Sequence, residues 1–256
     1  MKSPIYAVLL ASLVACGNTC GGTKSSTHDA ATLSPPRDEM VLVPAGRFLQ
    51  GDPTHEVVLE AFRIDRTEVA RGDYDKCVAA KACATLPDPA VPADAEHPVV
   101  RVTPAEAAAY CRWMGKQLPT DAQWEKAARG VDGRRYPWGD ATPTCELALF
   151  EQWTPERSDA CGEKNPYTAT HAVGSHPSGA SPYGALDMAG NVLEWTSDVE
   201  GPHAIARGGR VLGAEDQLRT TYRKLVLQSP GAPPRDQVIG FRCARAARRI
   251  PETPSP

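Results

Sequence analysis

Apolar residues fall into several patterns along the chain, and each predicts a different element. Residues 40–43 form a short apolar run ending at Pro44-Ala45-Gly46, which marks a strand entering a turn. Val57, Leu59, Phe62 and Ile64 suggest an extended pair of strands. A short helix is predicted from about Thr67, with Tyr74, Cys77 and Val78 on one face. Two further helices carry explicit start signals. Thr103-Pro104-Ala105-Glu106 is a capping box with proline at the first helical position. Ala107, Tyr110, Cys111 and Met114 follow at helical spacing, and Gly115 supplies the stop. Thr120-Asp121-Ala122-Gln123 repeats the device ahead of Trp124, Ala127 and Ala128, with a stop at Gly130. Beyond Gly130, glycine and proline recur every few residues, and turn dipeptides separate the aromatic positions, as in Pro137-Trp138-Gly139-Asp140. The pattern predicts a mixed α+β fold with little regular structure, many ordered loops and a need for covalent braces.

The N-terminus follows a different logic. Lys2 precedes an apolar stretch at 5–14 that is too short to span a bilayer but matches a signal-peptide core. It ends in Leu13-Val14-Ala15-Cys16, which resembles the bacterial lipobox, so residues 1–15 are expected to be removed and Cys16 lipidated. Acyl chains contribute roughly 0.8 kcal/mol per buried CH₂, so the partner implied is a membrane. Gly17 after the cysteine favours the outer membrane by analogy. Residues 16–38 are rich in Gly, Ser, Thr and Pro and suit a flexible tether, while 248–256 reads as a polar tail. One domain, 39–247, lies between them.

Composition narrows the function classes. The chain has 256 residues, a net charge of -3 and 41% hydrophobic residues, as expected of a globular protein. Nucleic acid is not an expected partner, because phosphate-backbone binding needs a concentrated basic patch. Arg242, Arg245, Arg248 and Arg249 form the one basic cluster, which reads as a solvated chain end. Eight cysteines in an exported chain predict disulfides first. With Cys16 lipidated and Cys20 in the tether, Cys77, Cys83, Cys111, Cys145, Cys161 and Cys243 remain. No Cys-x-x-Cys pair exists, which argues against zinc.

Eight motifs run in order through this domain: Met-Val-Leu-Val-Pro-Ala-Gly at 40–46, Phe-Arg-Ile-Asp-Arg-Thr-Glu-Val at 62–69, Ala-Tyr-Cys-Arg-Trp at 109–113, Leu-Pro-Thr-Asp-Ala-Gln-Trp-Glu at 118–125, Tyr-Pro-Trp-Gly at 136–139, Tyr-Gly-Ala-Leu-Asp-Met-Ala-Gly-Asn-Val-Leu-Glu-Trp at 183–195, Arg-Gly-Gly at 207–209 and Gly-Phe-Arg-Cys at 240–243. Together they resemble the formylglycine-generating enzyme (sulfatase-modifying factor) family. The resemblance implies that family's disulfide-braced fold, related to C-type lectins. It also implies a bond between Cys111 and Cys243, worth roughly 4–5 kcal/mol in the chain-entropy model. Cys77–Cys83 and Cys145–Cys161 then follow from proximity in sequence. Trp113, Trp124, Trp138 and Trp195 are expected in the core.

The resemblance implies two metal sites, of unequal fit. Family enzymes oxidise a target cysteine with copper held by two thiolates five residues apart, since soft sulfur suits Cu(I). Matched from Tyr222-Arg223, the second cysteine position falls on Arg219 and the first near Ala214, and 211–238 contains no cysteine. No copper is therefore expected, and formylglycine generation is disfavoured. Some relatives use iron held by histidines, but His28, His55, His97, His171, His176 and His203 form no close ligand pair, and His171 and His176 lack a nearby carboxylate in sequence. The family's calcium motif does carry over: the Asp187 and Glu194 side chains with the Gly190 and Val192 carbonyls, an all-oxygen set suited to a hard cation. The bland alternative is that Asp187 caps a turn while Leu186, Met188 and Trp195 form core. At the family's other calcium site, near 145–154, the match is poor, and Glu146 and Asp159 are the candidate ligands.

Three functions compete on this footing. The first is a non-catalytic binding or scaffold module for a peptide, glycan or protein at the cell envelope. The second is an oxidoreductase or protein-modifying enzyme of the same superfamily using a site without copper thiolates, with Arg219, Tyr222, Arg223 and His203 nearest in sequence. The third, a formylglycine generator, ranks last.

Overall fold

Strand β4 (Phe62–Asp65) joins the two ends of the domain. In the computed structural model it lies between β1 (Met40–Val43) and β11 (Ala244–Ala246), antiparallel to both. The structure describes residues 36–87, 94–154, 157–161, 170–228 and 238–247, all within one compact unit that runs from Ser34 to Pro256. The segment 1–15 expected to be a signal peptide, Cys16, Cys20, most of the expected tether and the tail at 248–256 fall outside the described residues, as does the Asp159 side chain.

The extended stretch read at 57–64 is real, but its strands do not pair with each other. β3 (His55–Leu59) instead forms a hairpin with β2 (Gly46–Gln50). A four-stranded sheet runs β10-β7-β8-β9, formed by β7 (Leu193–Glu200), β8 (His203–Arg207), β9 (Arg223–Leu227) and β10 (Ile239–Gly240). β10 is parallel to β7, and the other neighbours are antiparallel. A last hairpin pairs β5 (Glu151–Thr154) with β6 (Arg157–Ala160).

Helix α1 (Arg71–Ala79) begins later than Thr67. The Val69 amide donates to the Phe241 carbonyl and the Val69 carbonyl accepts from Val99, so tertiary bonds hold this segment extended until Ala70. α2 (Pro104–Trp113) and α3 (Asp121–Arg129) start where their capping boxes predict, with both reciprocal bonds formed at Thr103/Glu106 and Thr120/Gln123. Such a cap contributes about 1 kcal/mol. None of the described helices is long and apolar enough to cross a membrane.

The core lies in two principal parts. Tyr74, Tyr110, Phe241 and Trp195 pack between α1, α2 and the four-stranded sheet. Phe62, Ile64, Trp124 and Met188 pack under α3. Trp124 and Trp195 are fully buried, while Trp113 and Trp138 are half-buried. Disulfides join Cys77 to Cys83, Cys111 to Cys243 and Cys145 to Cys161. Cys111–Cys243 ties α2 to the residue preceding β11 and closes a loop of 132 residues. This is a mixed α+β architecture with modest regular structure and three disulfide braces, as the pattern predicts.

One expectation fails clearly. Arg242 is no solvated chain end: it is 0% exposed and sits in the middle of the protein. A buried guanidinium is tolerable only when fully paired, and its partners define the first candidate site.

Candidate functional site

The turn from Asp187 to Glu194 is built from residues in the left-handed region: Asp187, Gly190 and Asn191 have φ of 54°, 77° and 52°. At Gly190 a Cβ would lie 2.2 Å from the Leu149 carbonyl oxygen, so only glycine fits. The Asn191 amide donates to that same carbonyl at 2.9 Å, pinning the turn. Asn191 then uses its side chain three times. Its Oδ1 accepts from the His171 amide at 3.0 Å, and its Nδ2 donates to Glu68 Oε1 at 3.0 Å and to the His171 carbonyl at 3.3 Å.

Glu194 and Arg242 meet below the turn. Arg242 Nη2 donates to Glu194 Oε1 and Nε to Oε2, both at 2.7 Å, and Trp124 Nε1 donates to Oε2 at 2.8 Å. The remaining Arg242 donors reach the carbonyls of Asp65, Arg66 and Leu186. Burial alone would favour a neutral Arg242, but Glu194, Glu68 and Asp187 outweigh it and hold the guanidinium more firmly charged than usual.

Two further carboxylates approach. Asp187 Oδ2 accepts from the Gly174 amide at 2.5 Å, and His176 Nδ1 lies 3.5 Å from Asp187 Oδ1. His176 therefore has the carboxylate neighbour that sequence spacing did not reveal, and it stacks on His171 with ring centroids 5.3 Å apart. Glu68 is 2% exposed, and its Oε2 has no hydrogen-bond partner. Burial, then the charge of Asp187, pushes the Glu68 carboxyl well above the ordinary carboxylate range. Glu68, Asp187 and Glu194 thus surround one guanidinium, leaving negative charge unmatched.

That imbalance bears on the calcium expectation. Among the described residues no three His, Cys, Asp or Glu side chains form a ready cluster for a metal. A cation at this turn would draw on backbone carbonyls as well as Asp187 and Glu194, as the motif implies. An all-oxygen donor set beside an orphaned buried carboxylate oxygen fits a hard cation. At the other expected calcium site, Glu146 accepts from Ser178 Oγ at 3.1 Å.

A second candidate site contains Arg219. Ala214 is exposed ahead of a 3₁₀ turn at Glu215–Leu218, and Arg219 follows it. Arg219 helps line a pocket of about 330 Å³ with Arg129, Arg134, Arg135 and Asp52. Thr220 joins its two walls, its amide donating to the Arg135 carbonyl at 2.9 Å and its hydroxyl to the Arg134 carbonyl at 3.0 Å. The other candidates named with Arg219, namely Tyr222, Arg223 and His203, do not line this pocket. Arg223 pairs with Asp121 at 3.2 Å and Glu200 at 3.1 Å, His203 Nδ1 lies 3.3 Å from the Glu200 carbonyl, and Tyr222 packs against the main core. All six described cysteines lie in the three disulfides.

Sequence reasoning missed Glu68 and Arg207. Arg207 is fully buried, bonding through Nε to Asp121 and through Nη2 to Glu125 at 2.9 Å. The available signal was placement inside the framework motifs, where a charged residue among apolar ones needs a buried partner.

The fold and these framework residues place the chain in a class of small α+β domains with disulfides and few regular elements. It belongs to the sulfatase-modifying factor family: the sulfatase-modifying factor enzyme 1-like domain matches residues 25–247. The chain is 31% identical to the serine/threonine-protein kinase pkn1 of Chlamydia caviae over 258 residues, covering 82% of this chain and 38% of the kinase. It thus spans well under half the length of that relative. It is 43% identical to the formylglycine-generating enzyme of Mycobacterium tuberculosis over 113 residues, 43% of this chain and 36% of the enzyme. The structure of PvdO from Pseudomonas aeruginosa shares the fold, with a TM-score of 0.65 and 24% identity, covering 81% of this chain and 94% of that one. The domain also occurs in proteins named inactive C-alpha-formylglycine-generating enzyme 2 and hercynine oxygenase, so enzymes and inactive paralogues share it.

Proposed function

We propose that this protein is a lipid-anchored component of the cell envelope whose domain is a non-catalytic binding or scaffold module. The observation that carries the reading is the surrounding of Arg219. The position matched to the family's second copper thiolate holds a guanidinium in a pocket lined by further arginines. All six described cysteines are disulfide-bonded, and neither arginine nor alanine binds Cu(I) as a thiolate does. The residues present do not fit copper.

The Asp187–Glu194 turn serves this module as a structural calcium site. Asp187 and Glu194 with the Gly190 and Val192 carbonyls hold the ion, and Glu68 adds negative charge behind them. Anchoring follows from the lipobox at Cys16, with the outer membrane favoured, and presents the domain to a peptide, glycan or protein ligand. The deciding experiment is metal analysis of the purified protein, combined with an oxidation assay on a cysteine peptide. Calcium near one per chain with no copper, no iron and no peptide conversion supports the module. Stoichiometric copper or iron with peptide turnover would sink it in favour of an enzyme.

A further inference from the structure

We infer, on the binding-module reading above, that the Arg219 pocket receives a tetrahedral oxyanion, a phosphate or sulfate group. Four guanidinium groups line it, and Asp52 is its one carboxylate. Two of the four are already matched. Arg134 pairs with Asp132 at 2.6 Å, and Arg129 reaches Glu125 at 3.1 Å. Glu125 is itself shared, because Arg207 Nη2 bonds its other oxygen. Among the described residues, Arg135 and Arg219 have no carboxylate partner. Arg135 lies 5.2 Å over the Tyr136 ring, whose hydroxyl donates to Glu215 at 2.8 Å.

Two of the lining arginines also carry an unpaired buried donor. Arg129 is 8% exposed and fixed by the Leu49, Gly51 and Gly133 carbonyls, yet its buried Nε has no acceptor. The buried Nε of Arg219 has none either. An unpaired buried donor is costly, so a negative group in the pocket beside these two guanidinium groups is favoured, even though the Nε atoms themselves are covered. A cation would be repelled here, and a neutral ligand has no use for unmatched guanidinium charge. The donors approach from the end of α3, from the turn after it and from the loop carrying Arg219. That spread suits an anion with oxygens in three directions better than a planar carboxylate. A volume of about 330 Å³ holds such a group and the first atoms attached to it.

The test is calorimetric titration of the full chain with inorganic phosphate, sulfate and glycerol 3-phosphate, against chloride at matched ionic strength. Saturable binding of any of the three above the chloride control supports the site. Tighter binding of glycerol 3-phosphate than of phosphate identifies the ligand as an ester on a larger molecule. Arg135→Gln and Arg219→Gln should each weaken binding about tenfold, as expected for loss of one charge-assisted bond. Both change side chains without carboxylate partners, and thermal melts confirm that the variants fold. No binding beyond chloride, or undiminished binding by a folded R135Q/R219Q double variant, overturns the inference. Either result leaves the binding-module reading standing, because that reading fails on bound redox metal and peptide turnover instead.

Discussion

Glu194 and Arg242 form a fully buried bidentate pair, two bonds of 2.7 Å between side chains that are each 0% exposed. It joins the first strand of the main sheet to the segment just before the last strand of the domain. Removing one partner leaves the other buried and uncompensated, at a cost of about 3–5 kcal/mol. Arg242→Ala and Glu194→Ala should each lose that much in urea unfolding. The double variant should lose less than the sum, since neither partner of the pair is left stranded by loss of the other. Additive losses would show that the two side chains act independently.

The Cys111–Cys243 bond should be the most consequential of the three braces. It closes 132 residues, against 6 for Cys77–Cys83 and 16 for Cys145–Cys161. In the chain-entropy model the stabilisation grows with loop length, to about 4–5 kcal/mol for the longest loop. A Cys111→Ala/Cys243→Ala variant should therefore melt far below a Cys77→Ala/Cys83→Ala variant. Equal melting temperatures would place the stabilisation in the folded state rather than in loop closure.

Local signals made parts of this fold legible, and tertiary partners hid the rest. Thr103 and Thr120 announced their helices because a capping box is complete within four residues, and both formed as read. Thr67 misled because helical spacing near it is overridden by bonds from Val69 to Phe241 and Val99, far away in the chain. Arg242 looked like a tail residue because nothing within a few positions reveals Glu194, 48 residues upstream. The Arg219 pocket was half legible. The family spacing pointed to that residue, but the guanidinium groups of Arg129, Arg134 and Arg135 arrive from a different element. His176 looked isolated for the same reason, since Asp187 reaches it only through the turn, and His171 joins it by stacking.

Glu68 gives the protein a pH dependence of known sign. Its carboxyl is raised above the ordinary glutamate value of 4.5 by burial and by Asp187. In the metal-free protein the folded state therefore keeps a proton that the unfolded chain has released. Stability should fall as pH rises above about 4.5 and level off once the folded-state value is passed. Glu68→Gln removes the titration, and its amide oxygen can still accept from Asn191. In calcium-free buffer this variant should be more stable than the parent at neutral pH and show a flatter stability profile. Parallel pH profiles for the two proteins would mean that Glu68 does not titrate between the two states.

A calcium ion at the proposed site would balance the same charges in another way, and the two can be separated. A cation at the turn disfavours the proton on the neighbouring Glu68 carboxyl, so calcium should bind better as pH rises. With calcium at 100 times its dissociation constant, linkage predicts a gain of about 2.7 kcal/mol. The melting temperature of the parent should rise on adding calcium and return with EGTA, by more at pH 8 than at pH 5. Asp187→Asn removes a ligand charge but keeps an oxygen able to accept from Gly174. It should abolish most of the calcium shift while leaving the metal-free protein folded. Glu68→Gln, which removes charge without removing a ligand, should reduce the shift and its pH dependence together. A calcium shift equal in all three proteins would place the ion elsewhere, and the charge around Arg242 would then be balanced by the proton on Glu68.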